Sequence, residues 1–137
     1  MSILYDQLIL AAHNLLNVWL DAYKIKRALK KNIPKSVRHG VNFAAYAITT
    51  GVIIWLRHMG VWEAVVFALS ALFQRQITFD IPLNLRRGLA WNYVSLDKPP
   101  NAFMDKIEIR IFGYNGAAPV LVYGLLWAGL FITQYVL

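Results

Sequence analysis

The sequence predicts an all-α membrane protein: four transmembrane helices plus a short amphipathic interfacial helix before the last span, all within one domain covering residues 1–137. Three observations carry this. The chain is 58% hydrophobic and only 15% charged, with a mean hydropathy of +0.46, whereas globular chains average roughly 25% charged residues. Its apolar residues fall in blocks near the ~20 residues that a helical span requires. Its basic residues gather between the blocks, as orientation charge does.

Ile3 to Tyr23 supplies the first span, although it carries Asp6, His13, Asn14, Asn17 and Asp21. The opening "MSILYDQLIL" holds an acidic residue and no basic one, so it does not read as a cleavable signal peptide. The connector "KIKRALKKNIPKSVR" follows, with seven Lys/Arg from Lys24 to Arg38. Pro34 suits the first turn of the second helix, where a missing N–H costs nothing. That helix is expected to reach about Leu56, with Gly60 as a stop signal. The third begins near Val61, and Pro82 is expected to kink it rather than end it before Gly88. "LAWNYVSLDKPPN" reads as a loop. "AFMDKIEIRIFG" sets Phe103, Met104, Ile107 and Ile111 on one side and its charges largely elsewhere, the pattern of an interfacial helix. Gly116 to Leu137 is an uncharged run of 22 residues and forms the last span.

With the Lys24–Arg38 connector in the cytoplasm, that side holds those seven basic residues plus Arg86, Arg87, Lys98, Lys106 and Arg110. The opposite side holds Arg57, and Arg75 lies within the third span. The positive-inside rule then places the protein in the inner or plasma membrane with both termini on the non-cytoplasmic side. The net charge of +7 is read as contact with anionic lipid at the cytoplasmic face. No nucleic-acid module is present, so nucleic acid is not an expected partner. A second copy or partner subunits in the membrane are. The chain has no cysteine, which excludes disulfides and thiolate metal ligands.

An ionisable group at mid-span costs about 2.5–3.5 kcal/mol on insertion scales and usually faces the bundle interior. His13, Asn17 and Asp21 stand at i, i+4 and i+8, one ridge of a helix. His39, Asn42, Tyr46 and Thr49 repeat that spacing on the second helix, and Gln76, Asp80 and Asn84 on the third. At 1.5 Å per residue, Asp21, His39, Asn42, Asp80 and Asn84 fall within roughly 10 Å of one another in depth. The stripes are expected to line a cleft that opens to the cytoplasm beneath a basic rim.

Three readings of the cleft stay open. In the first, the polar groups bond across helices and hold the bundle together. In the second, the cleft is a metal-assisted or acid–base enzyme site. Asp21, His39 and Asp80 are then the ligands of a divalent metal, Zn²⁺ or Mn²⁺ in kind. His13, Asp80 and Arg87 would be catalytic, with Asn17, Asn42, Arg75, Asn84 and Arg86 binding a phosphorylated or lipid-linked substrate. No His-x-x-x-His or paired-Asp motif supports this, so the ligands come one per helix. In the third, His13 and His39 serve a haem or quinone, although their depths differ. Asp6 and Glu63 lie at outer helix ends and are expected to be solvated. Gly124 and Ala128 form a small-xxx-small pair, a packing groove.

Taken together, "HNLLNVWLDAYKIK", "RHGVNFAAYA", "FDIPLNLRRG" and "DKIEIRIFG" resemble uncharacterised small integral membrane proteins of bacteria and their phages. That resemblance implies no site residues. There is a looser similarity in kind to small membrane-bound metal-dependent hydrolases, which place His and Asp on several spans. The expected function is therefore a metal-dependent membrane hydrolase, or alternatively a non-catalytic assembly, scaffold or holin-like pore component.

Overall fold

The computed structural model describes residues 3–28, 35–92, 103–113 and 117–136; the side chains of 22–28, 35–39, 103–105 and 108 lie outside what it describes. The described residues are helical throughout, in the order α1 (Ile3–Ala28), α2 (Lys35–Leu56), α3 (Val61–Arg75), a π-turn (Gln76–Asp80), α4 (Ile81–Arg86), α5 (Phe103–Phe112) and α6 (Ala117–Thr133). α1 runs five residues beyond the expected Tyr23, into the basic connector. Pro34 and most of the loop before α5 lie outside the described residues.

Helix ends follow from backbone chemistry. α2 stops in a left-handed residue, His58 at φ 50°. There His58 N–H donates to Trp55 O at 3.1 Å and Met59 N–H to Ile54 O at 3.3 Å. That crossed pair is the Schellman arrangement, which satisfies carbonyls the helix leaves open. Gly60 then caps α3, and the Glu63 carboxylate accepts its N–H at 2.8 Å. Glu63 is exposed, as expected.

The third helix does pass through Pro82. α3, the π-turn and α4 follow without a break from Val61 to Arg86, so Pro82 stands inside a continuous helix, just after the π-turn, where its missing N–H removes one backbone hydrogen bond. Gly88, at φ 73°, ends it in a second Schellman pair, Gly88 N–H to Leu85 O and Leu89 N–H to Asn84 O. The π-turn was not foreseen.

Val61–Arg86 is 26 residues, long and apolar enough to cross a membrane, and it alone is so among the described residues. Gly40–Leu56 and Ala117–Thr133 are apolar but shorter, and α1 carries too many polar residues. α6 packs mainly on α3, while α1 touches α2, α3, the π-turn and α4. The apolar core is two small clusters. One gathers Leu10, Tyr46, Ile53, Phe67 and Ala71; the other gathers Val18, Phe79 and Leu83. Large apolar side chains point outward from α1, α2, α3 and α6, among them Ile48 at 67% and Leu125 at 75% exposed. Buried polar side chains, among them Asn14 and Ser70, lie inside beside these apolar clusters.

Candidate functional site

The interior between α1, α2 and α3 holds a ladder of polar side chains. Its lower part contains several residues picked out by spacing. Asp21 is buried and accepts from Asn42 Nδ2 at 2.6 Å, joining α1 to α2. Arg75 is 7% exposed, and its guanidinium carbon lies 4.4 Å from the Phe79 ring centroid, 5.5 Å from that of Phe43 and 5.9 Å from that of Tyr46. Such aromatic faces attract a desolvated cation. The charges of Asp80 and Asp21 both act on Arg75. Asp21, Asn42, Arg75 and Asp80 therefore belong to one neighbourhood.

The other predicted residues are dispersed. His13 is half-buried, with Nδ1 3.3 Å from Thr49 Oγ1 and its ring edge-on to Tyr46. Asn17 is half-buried. Asn84 is buried and donates to Trp91 O at 3.4 Å, where it fixes the chain after α4. Arg86 is exposed and lies over the Trp19 ring at 5.5 Å. Arg87 is exposed at the end of α4, where its N–H is part of the helix cap. The His39 side chain lies outside the described residues, so the expected Asp21–His39–Asp80 ligand set is not seen as a set. Among the described residues, no group of three His, Asp or Glu is placed to hold a metal ion.

In the upper part of the ladder Tyr46 stands on the expected second-helix stripe, whereas Gln7, Ser70, Gln74 and Thr78 are on no expected stripe. Tyr46 donates to Ala71 O at 2.8 Å and lies 3.3 Å from Gln74 Oε1. Asn14, fully buried, donates to Thr78 Oγ1 at 2.8 Å. Gln74 donates to Gln7 O at 2.9 Å, and Gln7 Nε2 to Ser70 Oγ at 3.2 Å. Gln7 also meets Gln134 Oε1 and the Trp127 indole N–H, each at 3.4 Å, and so reaches α6 and the turn after it. At the top, Arg57 Nη2 lies 2.7 Å from Asp6 Oδ2. Asp6, expected to be solvated, is 5% exposed because Arg57 covers and neutralises it. From Asp6 to Asp21 is about 22 Å along α1.

The signal for these residues was present in the sequence. Gln7, Asn14 and Asp21 recur at sevens, the same face two turns apart, with Leu10 and Val18 between. That face is rotated by one position from the His13–Asn17–Asp21 ridge. On the third helix Ser70, Gln74 and Thr78 form the matching row.

The cavities lie away from the lower cluster. A half-open pocket of about 170 Å³ adjoins the Asp6–Arg57 pair, between Met59, Glu63, Phe67 and Gln134. A nearly wholly apolar groove of about 240 Å³ runs between α1, α3 and α6, past Leu8, Ile77 and Phe131. The chain matches no protein-family model, and no curated protein or solved structure matches it either.

Proposed function

We propose that the chain is a four-span integral protein of the inner or plasma membrane, and that its polar stripes are structural, making it a non-catalytic assembly component. One observation carries this reading: the polar side chains are spent on one another. Asn42 on Asp21, Asn14 on Thr78, Tyr46 on Ala71 O and Gln7 on Ser70 each tie two different helices. Interhelical bonds of this kind hold helices together where lipid removes the hydrophobic drive between them. The outward apolar faces and the 26-residue Val61–Arg86 helix support membrane insertion. A holin-like pore through one copy has less support, because Leu10, Asn14, Phe67, Ser70 and Phe79 close the interior.

Metal analysis of the purified protein in mild detergent tests this. The structural reading expects Zn and Mn far below one equivalent, with no change in Asp80→Ala or Asp97→Ala. One equivalent that is lost in Asp80→Ala and kept in Asp97→Ala would overturn it.

A second reading is favoured by one specific observation. Arg75 is buried in the electrostatic field of two carboxylates, Asp80 and Asp21, and its Nε has no hydrogen-bond partner among the described residues. It also borders the π-turn, a feature frequent at functional sites. On that reading, Asp21, His39 and Asp80 would be the metal ligands of a hydrolase site, with Asn42 and Arg75 binding a phosphorylated or lipid-linked substrate.

A further inference from the structure

α1 and α6 stand apart on the flank of α3. No α-carbon of one comes within 8 Å of the other among the described residues, whereas α3 packs on both. Gln7 bridges the two helices through its bonds to Gln134 and Trp127. Beside that bridge runs the apolar groove of about 240 Å³. Leu4, Leu8 and Ala11 line it from α1, Ile77 from the π-turn, and Trp127 and Phe131 from α6. Leu4 and Leu8 are themselves exposed, so the groove opens to whatever surrounds the bundle.

The walls decide what fits. The polar residues in the lining are Gln7, Gln74, Thr78 and Trp127, and each is already bonded within the protein. Gln7 donates to Ser70 and accepts from Trp127. Gln74 donates to Gln7 O and accepts from Tyr46. Thr78 donates to Gln74 O and accepts from Asn14. An ordered water needs two to four polar partners, and an added peptide strand needs partners for its own N–H and C=O groups. A stable protein interface uses about 20–30 residues a side, whereas nine described residues line the groove. What fits is slender and wholly apolar. Depth agrees: Gln74, Ile77 and Thr78 lie in the middle third of the 26-residue Val61–Arg86 helix. In a bilayer, that level holds hydrocarbon alone.

We propose that the groove seats one acyl chain of a bilayer phospholipid, held at mid-span between α1 and α6 as part of the bundle. The inference rests on the proposal that the chain is integral to the membrane. The acyl chain supplies the dispersion contacts that two helices standing apart cannot make with each other. Because the groove offers it no hydrogen bond and no charge, it selects the hydrocarbon and is indifferent to the headgroup.

Photolabelling of the full chain tests the site. The protein is equilibrated in vesicles of phosphatidylcholine carrying a diazirine near the end of one acyl chain. It is then washed at length in mild detergent and irradiated, and the adducts are mapped by peptide mass spectrometry. Labelling of Leu4, Leu8, Ala11, Ile77 or Phe131 is expected, several-fold above that of Ile48 and Leu125, which are more exposed. Even labelling of both sets overturns the proposal. So does an unlabelled groove, the result expected if a second copy covers it. Ala11→Phe adds bulk within the groove and should remove the adducts there; groove labelling unchanged in a folded Ala11→Phe protein also overturns the proposal. The wild-type map is decisive without that variant. Recovery of the chain in the soluble fraction without detergent would overturn the membrane reading and this one together. A membrane-bound chain without groove adducts overturns this one alone.

Discussion

The Asp6 carboxylate on α1 receives two contacts from Arg57 just past α2, Nε at 2.8 Å and Nη2 at 2.7 Å, both on Oδ2. The pair closes the upper end of the bundle and joins two helices whose sequence separation is 51 residues. Breaking a fully buried pair costs about 3–5 kcal/mol. Arg57 keeps 25% of its side chain exposed, so Asp6→Ala is expected to lose about 1–2 kcal/mol, less than that limit. Unfolding by denaturing detergent measures it. In a double-mutant cycle with Arg57→Ala, the two losses should not add.

At the other end, Asn42 donates to Asp21 at 2.6 Å. A bond to a charged group is worth about 1.5–3 kcal/mol, and Asn42→Ala is expected to lose a similar amount. Asn42→Asp is the sharper experiment. It sets two carboxylates against each other, and like charges in one site hold a proton more tightly. The variant should be unstable at neutral pH and recover as the pH falls and one carboxyl is protonated. Asn42→Ala should show no such recovery.

Gln7 meets Ser70, Gln134 and Trp127 through its side chain and Gln74 through its carbonyl. Gln7→Leu keeps bulk and removes the amide. A loss of about 1–2 kcal/mol is expected, since single bonds in membrane bundles average near 0.6 kcal/mol and this residue makes several. Thr133→Ala, exposed and bonded only to Gly129 O, should stay within about 0.5 kcal/mol. Equal losses in the two would show that Gln7 is not a hub.

The absence of cysteine makes topology directly measurable. Single cysteines at Lys30 and at His58 should be labelled by an impermeant reagent from opposite sides of the membrane, Lys30 from the cytoplasm. Labelling from the same side would overturn the four-span arrangement.

Some of this structure was legible in the residues. The helix through Pro82 was, because a proline in such a helix kinks it rather than ending it, and so was its end at Gly88. Spacing and depth put Asp21 and Asn42 at one level, where they are bonded, but did not bring in Arg75. Most of the upper ladder did not follow, because glutamine, serine and threonine carry no charge to mark them against an apolar run. Asp6 was misread since depth alone places a carboxylate at the membrane edge, whereas its burial depends on Arg57, 51 residues away. On α1, adjacent polar residues such as His13 and Asn14 lie about 100° apart. Composition cannot say which of two such rows faces inward; packing against α3 decides for Asn14.

The π-turn carries a consequence for how the chain can change in length. Before it, Phe67, Ser70, Ala71, Gln74 and Arg75 are buried; Gln76 and Phe79 are buried within it, and Leu83 and Asn84 after it. A π-turn closes its hydrogen bonds over five residues, where an α-helix closes them over four. The segment thus behaves as a helix with one residue already inserted. Removing a residue between Gln76 and Asp80 would restore ordinary winding and leave Phe79 or its replacement, and Leu83, on the inner face. The same deletion within Val61–Arg75 would swing everything beyond it by about 100°. For a genetic change that shortens this span, Gln76–Asp80 is the permissive stretch.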